Sequence, residues 1–356
     1  MGYLLEKKRL ADFLAALMAT GSFAAPVRRK SDNVVVFEEL RDKNDLKRLD
    51  FSVNPQFSGK KYFMPAYEEL FTYDIETQKL TDRKLVPKRR ILFGLRLCDL
   101  NAVKIQDALF LGGQYVDDHY RNARDHVVLV GWYCNTPPSQ FCFCGSMELT
   151  NYYDLMLRDL PDVGSIYVDV GSPKGAALIQ EAQAAAAGKA LRLVERHEPI
   201  PKIETGKKLV TRDIRQHFDH PKWQEAADKK CLSCQRCTTM CPTCMCFDIY
   251  DETKEDLEHG SRKRTWDSCH SKDFTRVAGG HIFRPDRAAR FKHRIYHKLV
   301  YYPEVFGTPM CTGCGRCIEH CPTRIDFVQI VNDIHAEAQA KAAGQRPQSS
   351  QPEAPR

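Results

Sequence analysis

The sequence predicts an α/β amino-terminal domain followed by a mainly α-helical carboxyl-terminal domain. Three observations carry that expectation. Short apolar runs of β character alternate with helix-like stretches through residues 1–200. From Trp223 onward the composition changes, with dense cysteine and accumulating Lys and Arg. Within that second part a cysteine motif occurs twice, its starts 80 residues apart at Cys231 and Cys311. A chain of 356 residues fits this division, because single cores rarely grow much beyond about 250 residues.

Taken in order, residues 1–20 read as an amphipathic helix, with Leu4, Leu5, Leu10, Phe13, Leu14 and Leu17 recurring at helical spacing. Val34–Phe37 and Ile91–Leu95 are β-like runs, and the second ends at Arg96-Leu97-Cys98-Asp99, where Asp99 is a helix N-cap candidate. A helix follows over Leu100–Phe110, closed by Gly112-Gly113. His126–Tyr133 reads as a buried strand ending at Cys134. Ser165–Val170 is a further strand, before an Ala-rich helix over 175–187. Residues 201–222 are polar and proline-bearing and read as a linker. The second domain spans 223–337, with a basic insertion over 247–308, and 338–356 read as a disordered tail.

Composition narrows the function classes. Hydrophobic residues make up 43% and charged residues 28%, which excludes a wholly disordered chain. Mean hydropathy is −0.46 and no run of 18 apolar residues occurs, so no membrane span is expected. The start of the chain does not read as a signal peptide, and Glu6 stands where a myristoylation signal has Ser or Thr. A net charge of +7 is too mild to argue for nucleic acid. The unusual figure is 15 cysteines, odd in number and clustered. Without an export signal, such clustering points to metal ligands in a reducing, cytoplasmic compartment rather than to disulfides.

The repeat sharpens this. Cys231-Leu-Ser-Cys234-Gln-Arg-Cys237-Thr-Thr-Met-Cys241-Pro242 is echoed by Cys311-Thr-Gly-Cys314-Gly-Arg-Cys317-Ile-Glu-His-Cys321-Pro322. This C-x2-C-x2-C-x3-C-P spacing wraps a [4Fe–4S] cluster. Three sulfurs curl round one cluster, and in two-cluster ferredoxins the fourth crosses to the other. The crossing assigns Cys231, Cys234, Cys237 and Cys321 to one [4Fe–4S] cluster, and Cys311, Cys314, Cys317 and Cys241 to a second. Zinc sites use separated C-x2-C knuckles instead. The helical periodicity of Phe327, Ile330, Val331 and Ile334 then makes this second half a mainly α-helical two-cluster ferredoxin-like domain. Between the motifs, residues 262–298 hold 11 Lys or Arg, four His and three acids. That charge either forms a solvated face or offsets buried anionic clusters.

Cys98, Cys134, Cys142 and Cys144 form a separate group. The first two follow strands, where ligand sites open in α/β sheets. Four thiols there fit a third [4Fe–4S] cluster, or else zinc; the bland alternative is that they are small core residues. Cys244, Cys246 and Cys269 read as structural thiols, the alternatives being a ligand swap, with Cys244 competing with Cys241, or a redox-active thiol.

Arg96-Leu-Cys98-Asp99, Cys142-Phe-Cys144-Gly-Ser-Met147, Cys241-Pro-Thr-Cys244-Met-Cys246-Phe-Asp248, Trp266-Asp-Ser-Cys269 and Ala278-Gly-Gly-His281 together resemble the iron–sulfur beta subunit of cytosolic NAD(P)-linked [NiFe] sulfhydrogenases. The corresponding iron–sulfur subunit of anaerobic sulfite reductase is similar. Leu97 departs from the proline that the family often carries there. The resemblance implies an electron-transfer subunit that is not catalytic alone. It implies two partners: a flavin/NAD(P)-binding reductase subunit, and a catalytic hydrogenase or sulfite reductase subunit. The chain itself has no G-x-G-x-x-G fingerprint and no P-loop. Two other classes stand beside the relay: a substrate-binding metal centre in the amino-terminal group, and nucleic-acid binding by the basic insertion. Sparse aromatic interleaving weighs against the second.

Overall fold

The computed structural model describes residues 2–86, 88–185 and 194–344. The amino-terminal half runs β1 (Gly2–Glu6), α1 (Leu10–Met18), β2 (Ser22–Arg28), β3 (Val35–Leu40), β4 (Tyr67–Asp74), β5 (Lys79–Asp82), β6 (Arg90–Leu95), α2 (Leu97–Phe110), α3 (Asp118–Asp125), β7 (Val127–Trp132), β8 (Leu155–Leu160), β9 (Ser165–Val170), α4 (Pro173–Ala185) and β10 (Val194–Glu195). The remainder runs α5 (Pro221–Lys229), α6 (Arg236–Thr239), β11 (Phe247–Thr253), β12 (His259–Trp266), α7 (Arg287–Tyr296), α8 (Tyr302–Phe306), α9 (Arg316–Glu319) and α10 (Phe327–Ala342).

Eight strands form one sheet in the order β10-β1-β9-β8-β7-β6-β2-β3. Its centre, β2-β6-β7-β8, is parallel. Alternation along these strands sorts side chains to two faces. Ala25, Phe93, Val130, Leu157 and Val168 pack with Phe13, Leu14 and Leu17 of α1 and Leu178 and Ile179 of α4. Ala24, Leu92, Leu129 and Met156 meet Leu100 and Val103 of α2 on the other face. Each fully buried side chain of this kind contributes about 1.5–3 kcal/mol. The α/β reading of this half holds, but its first element differs. Residues 2–6 pair antiparallel with β9 instead of joining the helix, because a sheet neighbour outweighs weak helical propensity. The Ala-rich helix is described to Ala185; its expected last two residues lie outside the described residues.

The expectation of a mainly α-helical second half is met only in part. The expected insertion carries the hairpin β11–β12, which joins β4–β5 in a four-stranded antiparallel sheet ordered β11-β12-β4-β5. The two halves also share a core: Met245, Tyr302 and Met310 lie with the apolar residues of α2. Residues 201–222, expected as a linker, are a packed strap. Leu209 and Ile214 are buried, Leu209 N donates to Ser146 Oγ at 3.1 Å, and Val210 N donates to Asn332 Oδ1 at 3.0 Å. Helix α10 runs on to Ala342, past the expected start of the tail at 338; residues 345–356 of that tail lie outside the described residues.

Candidate metal centres

Both cysteine motifs take the same local form. Each loop turns through the left-handed region twice, at Ser233 (φ 52°) and Gln235 (φ 64°) and at Gly313 (φ 68°) and Gly315 (φ 75°). Each then enters a four-residue helix, α6 or α9, and the two helices pack together. These turns curl the chain round its own sulfurs, so that Ser233 N donates to Cys231 Sγ at 3.5 Å. The second copy requires glycine where the first does not. A Cβ on Gly313 would stand 2.6 Å from the Cys144 backbone, and one on Gly315 would stand 2.6 Å from that of Phe141. The second loop therefore lies against the loop bearing Cys142 and Cys144.

Cys231, Cys234, Cys237 and Cys321 line one hollow, together with Cys317, His270, Arg294 and Phe327. Ile325 N donates to Cys321 Sγ at 3.3 Å. Cys234 is exposed, so the hollow lies at the surface on one side. His270 is buried, and neither of its ring nitrogens meets an oxygen or nitrogen partner. Its ring faces the Cys231 thiol. Burial there raises the thiol pKa, but hydrogen bonds from His270 and from the Ser233 amide outweigh it and leave the thiol below its ordinary value. Among the described residues no three His, Cys, Asp or Glu side chains are placed to hold a single metal ion. The thiols ring a hollow instead, and a donor set of four sulfurs beside a buried imidazole fits an anionic cluster several atoms across.

The second set, Cys241, Cys311, Cys314 and Cys317, is likewise drawn together: Cys241 lies within electrostatic reach of each of the other three. Buried cations surround it. Arg294 donates to Cys237 O at 3.1 Å, Lys298 to Thr243 Oγ1 at 2.8 Å, and Lys60 to Cys244 O at 3.0 Å. Among the described residues none of the three has a carboxylate partner. A buried cation without an anion is costly, and the groups facing these are thiols: Cys241 and Cys244 outweigh the effect of burial at Lys298, whereas burial still lowers the Lys60 pKa. Hydrogen bonding by Cys244, aided by Lys298 and Arg294, holds the Cys241 thiol well below its usual range despite burial.

Cys98 lies in the first turn of α2 and Cys134 just beyond β7, at the carboxyl ends of adjacent parallel strands. Gly94 (φ 83°) makes the bulge that re-aims β6 there; a Cβ would stand 2.6 Å from Pro26. Cys142 and Cys144 come from the following loop; Cys144 lies near Cys98, Cys134 and Cys142, and Cys142 near Cys134. Burial pushes all four thiols up, Cys144 to about 12, so a metal binding them must displace protons. This group adjoins the second set. Asn54 Nδ2 donates to both Cys142 Sγ (3.5 Å) and Cys314 O (3.1 Å). Arg316, fully buried, forks onto Asp99 at 2.6 and 3.0 Å. Asp99 is thus not the N-cap of α2. It sits one turn in, reaching back to Arg96 N at 3.4 Å.

The structure thus brings Cys231, Cys234, Cys237, Cys317 and Cys321 to one hollow and places Cys144 near Cys98, Cys134 and Cys142. Sequence reasoning missed Asn54, Lys60, the Asp99–Arg316 pair and the role of His270. For the basic segment it left two readings open, and Arg290, Arg294 and Lys298 prove to be buried beside the cysteine loops.

Residues 230–325 match the family model of the 4Fe-4S dicluster domain. Over 346 residues, 93% of this chain and 97% of the relative, the sequence is 32% identical to sulfhydrogenase 2 subunit beta of Pyrococcus furiosus. No solved structure matches.

Proposed function

The chain belongs to the sulfhydrogenase beta-subunit family, and from that membership we propose that it is an iron–sulfur electron-transfer subunit carrying electrons between a flavin subunit that handles NAD(P)H and the catalytic subunit of a cytosolic [NiFe] hydrogenase. The observation that carries this reading is the crossing of the repeat. Cys321 of the second motif lines the hollow of the first, and Cys241 of the first lies with the second. Cys231, Cys234, Cys237 and Cys321 hold one [4Fe–4S] group, and Cys311, Cys314, Cys317 and Cys241 hold the other. Each such group takes up and returns a single electron.

The chain's own residues set the route. Exposed Cys234 marks the end at which a partner docks. Arg294 lies between the two proposed ligand sets, bonded to Cys237 O of the first and facing Cys241 and Cys317 of the second. Its charge, with that of Lys298, stabilises added negative charge. The amino-terminal four cysteines hold a third centre beyond the second set. Four protein thiols around it support a relay role over a substrate-binding one. Among the described residues no helix is long and apolar enough to cross a membrane.

Anaerobic purification with iron and sulfide counting tests the reading. About twelve irons per chain are expected from three cubanes, and about eight would remove the third. Cys234→Ala or Cys314→Ala is expected to lose one cluster's EPR signal and abolish electron passage through the co-purified complex. Full passage in either variant would contradict the proposal.

A further inference from the structure

Three cysteines stand outside all of these ligand sets: Cys244, Cys246 and Cys269. The hairpin register brings two of them together. Phe247 pairs with Trp266, and Asp267 N donates to Cys246 O at 3.0 Å, so the two strand ends lie side by side. A tight turn follows, with His270 N donating to Ser268 Oγ at 3.1 Å and Ser271 N to Ser268 O at 2.8 Å. That turn sets the Cys269 side chain against Cys246, thiol to thiol. Ser268 Oγ lies 2.8 Å from Thr238 Oγ1, which ties the turn to the first cysteine loop. Cys244 stands between this pair and Cys241, in contact with the latter.

We propose that Cys246 and Cys269 are a redox-active pair, a dithiol/disulfide couple that exchanges two electrons with the neighbouring iron–sulfur groups. Two apolar thiols packed as filler would not need ammonium groups beside them, yet Lys60 and Lys298 are buried here with no carboxylate partner among the described residues. Lys60 lies 4.3 Å above the Trp266 ring, and Trp266 is the strand residue opposite Phe247. Such a positive setting favours the thiolate, the reactive form. In accord, the hydrogen bond from Cys269, then Lys298 and Lys60, bring the Cys246 thiol below its ordinary value while Cys269 stays protonated. Cys246 is partly exposed and Cys269 buried, so the pair has one open side.

On oxidation the Cys246 thiolate and the Cys269 thiol form one S–S bond. Two electrons leave, one to each of two oxidised [4Fe–4S] groups, and the Cys269 proton passes to water at the open side. Reduction reverses each step. The couple would thus convert one-electron arrivals into a two-electron store. This rests on the clusters of the proposed function, whose absence would show independently as missing EPR signals in the unaltered protein.

The test uses the full-length chain with its clusters loaded, poised anaerobically over a range of potentials, then denatured in N-ethylmaleimide and analysed by mass spectrometry. The expected result is labelling of both cysteines at the reducing end, and a Cys246–Cys269 disulfide peptide with neither labelled at the oxidising end. In reductive titrations, Cys246→Ser and Cys269→Ser should each take up two fewer electrons with cluster signals unchanged. Labelling of both cysteines at every potential would overturn the proposal. So would loss of iron in either serine variant, which would make these residues ligands.

Discussion

At the scale of single residues, the Asp99–Arg316 pair is the most consequential contact outside the thiols. Asp99 follows Cys98 and Arg316 precedes Cys317, so one buried fork joins a cysteine-bearing segment from each half of the chain. Asp99→Asn removes one charge and leaves Arg316 buried without an anion. The expected cost is about 3–5 kcal/mol in denaturant unfolding of the anaerobic protein, whereas replacing both residues with apolar ones of similar volume costs far less. Asp99 was legible as a residue near a helix start, because Asp in a first turn has a local physical reason. Its partner lies 217 positions away, and nothing local in the sequence pairs them. The cysteines behave differently. Their role was legible because cluster geometry imposes a spacing on neighbouring positions, and that spacing survives in the linear chain.

At the scale of elements, the two motif loops show how packing differentiates a repeat. Ser233 and Gln235 occupy the positions that Gly313 and Gly315 hold in the second copy, all with positive φ. Gly315→Ala is expected to push the Phe141–Cys144 loop away and diminish the EPR signal of the proposed third cluster, because the Cβ meets backbone. Gln235→Ala, at the matching position, should leave that signal intact. Helix α7 and the turn after it carry a second device. His293 and His297 stack with ring centres 5.8 Å apart, and burial lowers both to about 4. Between about 4 and 6.5 the unfolded chain binds protons that the folded chain refuses, so stability is full above 6.5 and falls as pH drops through that window. Unfolding midpoints measured from pH 7 downward should decline more steeply for the unaltered protein than for His293→Gln/His297→Gln. The hairpins β4–β5 and β11–β12 were not legible. Their outward residues, among them Leu80, Ile249 and Leu257, are exposed, and the pairing that joins them spans the two halves.

At the scale of the whole molecule, the two halves are one packing unit. Met245, Tyr302 and Met310 complete the core beneath α2, and the strap over 201–222 is bonded to both sides. Residues 1–222 and 223–356 expressed separately are therefore expected to be poorly folded, with broad unfolding transitions and exposed apolar surface by dye binding. Sharp, independent transitions would show instead two autonomous domains. By itself the sequence determined the chemistry of this protein: twin cysteine motifs at cluster spacing, a further thiol group at strand ends and a family signature running through them. Those features are local, or are repeats of a local pattern, and a linear reading preserves them. Only the tertiary structure decided which cations face which thiols, that the amino-terminal group abuts the second motif, and that Cys246 meets Cys269. These are consequences of strand register and of glycine-permitted close approach between distant segments. Burial then turns such proximity into energy, because a charge or thiol removed from water must find its partner within the fold.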